Sequence, residues 1–130
     1  MLIIFHLSLM SAATLFLITG ISVAMFLRRK KNWLNTHKTF NLAGFFMLLA
    51  GAVMAIAAVT TGGGDHFVAL HQRMGLAAIL LCSATVFLGY YSFKAANKNA
   101  IRTVHRWSGR ISLIAMVAAL ILGLRMIGIV

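Results

Sequence analysis

The sequence predicts an all-α integral membrane protein, a four-helix bundle running up-down-up-down, and three observations carry that prediction. Of 130 residues, 62% are hydrophobic and 10% charged, with one acidic side chain, and the mean hydropathy is +0.96. An average soluble domain is about a quarter charged, and a soluble globule of this length could not bury so much apolar surface. The apolar residues fall in four runs, each long enough for a hydrocarbon core that takes about 20 helical residues to cross. The basic residues gather between or beside the runs. The same figures exclude a disordered chain, which would be polar and highly charged. A single cysteine, Cys82, excludes a disulfide scaffold.

The helices are expected at about 2–27, 38–60, 67–93 and 104–130, forming one domain over 1–130. The first run is interrupted only by His6 and small hydroxyl residues. It has no basic n-region, exceeds the apolar stretch of a signal peptide and ends in Arg28-Arg29-Lys30-Lys31, so it reads as a retained helix. Asn35 and Thr36 are candidate caps for the second helix, Asp65 for the third, and Asn97 and Asn99 for the fourth. Gly62-Gly63-Gly64 makes the second connection a flexible turn. Connections this short make neighbouring helices antiparallel.

The charges orient the bundle. Arg28, Arg29, Lys30, Lys31 and Lys38 lie in or beside the first connection, and Lys94, Lys98, Arg102, Arg106 and Arg110 in or beside the third. Only Arg73 and Arg125 fall at the opposite ends. This asymmetry puts both termini outside and the first and third connections in the cytoplasm, with a bacterial inner membrane as the expected setting. Topology thus accounts for nearly all of the net charge of +11. No nucleic-acid partner is expected; affinity for anionic lipid headgroups follows.

Histidines carry the functional reading. His6, His37, His71 and His105 each stand near the start of a different helix, at separations of 31, 34 and 34 residues. Because the helices alternate in direction, His6 and His71 share a depth near the outer face, and His37 and His105 share one near the inner face. The first and third helices are diagonal partners, as are the second and fourth. Two imidazoles facing each other at one depth are what a six-coordinate haem iron requires. Glycines fit the same plan, since a porphyrin slot needs small neighbours. Gly75 and Gly109 follow His71 and His105 by four residues, one turn along the same face. Gly20, Gly51, Gly89 and Gly123 recur 14 or 18 residues beyond the histidine of their own helix, close to its face again. Each helix then offers a histidine to one layer and a glycine to the other, with the layers on the order of 20–27 Å apart.

A lone histidine could instead sit in the headgroup zone, and a lone glycine could serve helix packing. Four histidines in register by depth and paired across diagonals are harder to assign that way, and ionisable residues within membranes are usually functional. Two histidines per layer without carboxylate or thiolate company underfill a zinc, copper or non-haem iron shell. His66 lies about 140° around the helix from His71 and reads as a loop residue or an outer partner contact. Cys82 reads as an inert buried thiol. The absence of Cys-x-x-Cys-His excludes covalent haem.

The stretches His6-Leu7-Ser8-Leu9-Met10, His37-Lys38-Thr39, His66-Phe67 with His71, and His105-Arg106-Trp107-Ser108-Gly109-Arg110 resemble the four core helices of the cytochrome b561 superfamily. The likeness is to the haem domain that accompanies DOMON domains, and it covers almost the whole chain. Its most specific element is the His-Arg-Trp-x-Gly-Arg run. The resemblance implies two non-covalent haem b groups with bis-histidine ligation, an outer one on His6 and His71 and an inner one on His37 and His105. It further implies transmembrane electron transfer. Animal and plant members usually add two flanking helices; only the four-helix core is expected here, so the ascorbate chemistry of six-helix members is not carried over.

The expected function is one-electron conduction between a donor on one face and an acceptor on the other, each a small molecule or a protein. The alternatives are a quinol-, ascorbate- or ferric-chelate-reactive oxidoreductase, and a membrane subunit anchoring a larger redox complex. Whether the chain is an enzyme stays open, but Asp65, the lone side-chain carboxylate, rules out a two-carboxylate mechanism. Arg106, Arg110 and Lys38 are candidate partners of the inner propionates, or serve topology alone. Arg73 lies about 200° from the ligand face of His71, and Arg125 reads as a snorkelling interface residue.

Overall fold

The computed structural model describes residues 1–129. They form α1 (Leu2–Phe26), α2 (Trp33–Thr61), α3 (Leu70–Tyr91) and α4 (Lys98–Met126), with no strand among the described residues. All four helices are long and apolar enough to cross a membrane. The expected end of the fourth helix at Val130 lies outside the described residues, and α4 closes at Met126.

The largest departures from expectation are at the starts of α2 and α4, which begin five and six residues early. Hydropathy marks only the part of a helix that lies in hydrocarbon. A helix satisfies its own backbone wherever it runs, so it continues into the interface. At 29 residues each, α2 and α4 reach about 44 Å, beyond the roughly 30 Å apolar core. Asn35 and Thr36 therefore lie inside α2, with Asn32 at its cap position. Asn97 does cap α4, its side chain accepting from the Ala100 N–H at 3.1 Å, whereas Asn99 is already helical. Asp65 does not cap α3. The chain turns at Phe67 (φ 63°) and the helix starts after Ala69, whose N–H donates to Gln72 Oε1 at 3.1 Å. Arg73 Nε donates to the Phe67 carbonyl at 2.8 Å and ties this turn to α3.

The helices pair as two antiparallel hairpins, α1 with α2 and α3 with α4, and the hairpins meet only lightly along α1–α4 and α2–α3. Gly44 allows a close approach of the first pair: a Cβ there would stand 3.0 Å from Leu17 Cγ and 3.1 Å from the Ala13 carbonyl. Met10, Ala13 and Leu17, with Leu48, Ala78, Cys82, Ala115 and Met116, form a buried cluster at mid-bundle to which every helix contributes. Large apolar side chains such as Leu15, Phe46, Leu80, Phe87 and Ile114 point outward, as a lipid-facing surface requires. Trp107, Tyr90 and Tyr91 are exposed near the cationic ends, where amphipathic rings favour the membrane–water interface.

Candidate cofactor site

Two histidine pairs flank the mid-bundle cluster. His6 on α1 and His71 on α3 bring their ring centroids to 6.0 Å at an interplanar angle of 75°. His37 on α2 and His105 on α4 stand 6.2 Å apart at 88°. Each pair spans a diagonal of the bundle, between helices that do not otherwise pack. All four rings are half-buried.

Backbone carbonyls of the neighbouring helix hold every ring. His6 Nδ1 lies 2.8 Å from the Gly51 carbonyl and His37 Nδ1 2.8 Å from that of Gly20. His71 Nδ1 lies 2.9 Å from the Ala119 carbonyl and His105 Nδ1 2.9 Å from that of Thr85. A carbonyl only accepts, so Nδ1 carries the proton and donates. In a neutral ring Nε2 then keeps its lone pair, which is the state a metal ligand needs. Asn41 sits beside His37 and donates from Nδ2 to the His37 carbonyl at 2.7 Å.

The glycines divide into three sorts. Gly20 and Gly51 supply their own carbonyls to His37 and His6. Gly89 and Gly123 lie four residues beyond the acceptors Thr85 and Ala119, against the bound rings. A Cβ on Gly89 would stand 3.0 Å from His105 Cε1, and one on Gly123 would stand 2.8 Å from His71 Cε1. At these positions the missing side chain admits a neighbour's imidazole to the second lone pair of a helical carbonyl. Gly75 and Gly109 are different. A Cβ on Gly75 would meet nothing within 4 Å, and one on Gly109 only Thr85 Cγ2 at 3.6 Å.

A cavity of about 580 Å³ lies at the level of the second pair, with His37, His105, Gly89 and Gly109 among its walls. Lys38, Arg106 and Arg110 line it too, together with Arg28 and Arg102. Lys38 Nζ stands 4.4 Å from the Phe93 ring centroid, and the Arg110 guanidinium carbon 5.0 Å from that of Trp107, both within cation–π range. Arg106 reaches the Arg102 carbonyl and the Thr103 hydroxyl on its own helix. His66 is exposed in the loop between α2 and α3, with Nε2 3.2 Å from Thr60 Oγ1, and has no place in either pair.

A family model described as eukaryotic cytochrome b561 matches residues 1–129. The chain belongs to the cytochrome b561 family. Searches of curated proteins and of solved structures found no match. Membership brings haem b and electron transfer across a membrane, in agreement with the four apolar helices. The model's description names eukaryotic members, so it does not speak for the bacterial membrane expected above.

The residues present fit the cofactor of a cytochrome b561. Centroids about 6 Å apart leave room for one metal ion bonded at about 2 Å to a nitrogen of each ring. Among the described residues, no three His, Cys, Asp or Glu side chains gather into a site of their own, so the arrangement suits an ion that brings its equatorial ligands with it. Sequence reasoning missed Thr85 and Ala119 as acceptors, and Asn41, Ser108 and Ser112 as polar neighbours. The acceptors act through their backbone, which no side-chain pattern marks. The others carried a signal, since Asn41 follows His37 by one turn and the two serines recur at helical spacing after His105.

Proposed function

We propose that the chain conducts single electrons across the membrane as a di-haem b-type cytochrome, with His6 and His71 as axial ligands of an outer haem and His37 and His105 of an inner one. The observation that carries this reading is the pair of diagonal imidazole couples, each ring anchored through Nδ1 to a carbonyl. Bound haem supplies a reversible one-electron couple at each layer. The protein's part is to hold the imidazoles as neutral donors, keep water from the space between the layers with the Met10–Leu48–Met116 cluster, and set the charge around each layer. Lys38, Arg106 and Arg110 are cations for the inner propionates, and Gly75 and Gly109 are slot residues. In a bacterial cytoplasmic membrane, the setting we assign, both termini are outside and the cationic loops face the cytoplasm.

The test is a haem-to-protein ratio with a reduced-minus-oxidised spectrum of the purified protein. Two b-type haems per chain, extractable by acidified organic solvent, are expected; one haem or none overturns the two-layer assignment.

A further inference from the structure

The four carbonyls that hold the histidines differ in their surroundings. Three belong to Gly20, Gly51 and Ala119, residues without a polar side chain. The fourth belongs to Thr85. Thr85 Oγ1 donates to the Leu81 carbonyl at 2.8 Å on its own helix, and lies 2.5 Å from Ser108 Oγ and 3.0 Å from Ser112 Oγ on α4. Ser112 in turn donates to the Ser108 carbonyl at 2.7 Å. The proton count closes: Thr85 gives to Leu81, Ser112 to Ser108 and Ser108 to Thr85. The bond from Ser108 to Thr85 thus staples α4 to α3, with Ser108 one turn beyond His105 and the Ser112 hydroxyl packed against Thr85 Oγ1 at 3.0 Å. Thr85 meets α4 twice, accepting the His105 proton on its carbonyl and the Ser108 proton on its hydroxyl. The outer layer has no counterpart, because Ala119 offers His71 a carbonyl and nothing more.

We propose that Thr85, with Ser108 and Ser112, is a positioning unit that fixes the His105 Nδ1–H bond and thereby lowers the reduction potential of the inner haem. A firm bond at Nδ1 leaves more electron density on Nε2, a more basic ligand favours the ferric iron, and the potential falls. Loosening the staple lets the 2.9 Å bond lengthen and moves the potential up at the inner layer alone. The outer haem, held through Gly51 and Ala119, does not feel the change.

The inference rests on His105 being an inner ligand, so that reading is tested beside it. Redox titrations would compare the holoprotein with Thr85→Val, Thr85→Ser, Ser108→Ala and His105→Ala. Thr85→Val is expected to raise the inner midpoint potential with haem content and the outer potential unchanged. Thr85→Ser restores the wild-type value, and Ser108→Ala gives a smaller rise. Should Thr85→Val fail to accumulate, Ser108→Ala decides by the same criterion. Unchanged potentials, or a shift of both layers together, would overturn the staple. An inner haem indifferent to His105→Ala would instead overturn the ligand assignment.

Discussion

At the scale of single residues, absent side chains govern how the imidazoles are held. A helical carbonyl already accepts from the N–H four residues on, and an imidazole reaches its remaining lone pair only where nothing projects nearby. A methyl group on Gly123 would stand 2.8 Å from His71 Cε1 and push the ring off the Ala119 carbonyl. Overpacking of this kind costs about 1–3 kcal/mol, roughly five- to 150-fold in affinity for whatever the ring ligates. Gly123→Ala should therefore weaken haem retention in the outer layer, measured by competition with apomyoglobin, and Gly89→Ala should do so in the inner one. Gly75→Ala should be silent in the same assay, because a Cβ there meets open space. A bulkier Gly75→Leu should leave the helical content of the haem-free chain intact while lowering outer haem content. Normal haem content would assign Gly75 to simple lipid or helix contact.

At the scale of elements, hairpin pairing decides which histidines share a fate. The acceptor bonds run between adjacent helices of one hairpin, while the imidazole couples cross the diagonals between hairpins. His6→Ala and His71→Ala should each perturb the outer haem and spare most of the inner signal; His37→Ala and His105→Ala should do the reverse. An iron that loses one imidazole becomes five-coordinate or takes water, so absorption and paramagnetic resonance spectra report the change of spin state. Electron flow across vesicles should fall in all four, since the layers act in series. His66→Ala should keep both spectra near wild type, as its ring lies in the exposed loop between α2 and α3. If His66 and His6 proved to share a spectral phenotype, the outer pair would have to be redrawn.

For the molecule as a whole, the light contact between hairpins has an energetic consequence. Each hairpin packs along its length, but between them lie chiefly the histidine layers and the mid-bundle cluster. A cofactor that binds the assembled bundle and not the separated hairpins stabilises the assembly by mass action, by about 4 kcal/mol when present at a thousand times its dissociation constant. Haem-free protein should therefore melt earlier and be cut faster in the exposed segment from Gly62 to Val68, which joins two hairpins that stay helical. Equal melting temperatures and equal proteolysis with and without haem would show that the bundle is self-supporting. Net orientation is a second property of the whole. Reporter fusions at either terminus should read as outside, and reversal is expected only when the ten basic residues of the first and third connections are depleted.

The sequence alone determined the class, the number of spans, their antiparallel order and the depth of each histidine. These follow from hydropathy, chain length and a fixed rise per residue, all local properties that no neighbour can alter. Lys38, Arg106 and Arg110 were legible as cations near the His37 and His105 level for the same reason, and all three line the cavity there. The starts of α2 and α4 were not, because a helix crosses out of the hydrocarbon without any change in its own backbone. Only the tertiary structure decided what Gly20, Gly51, Gly89 and Gly123 meet, and that Thr85 and Ala119 hold the rings. Those answers depend on main-chain carbonyls brought within 3 Å of a side chain on another helix, and every residue type carries the same carbonyl. The staple of Thr85, Ser108 and Ser112 falls between the two cases. Its hydroxyls stand out in the sequence, but their meeting depends on the register of α3 against α4, which packing sets.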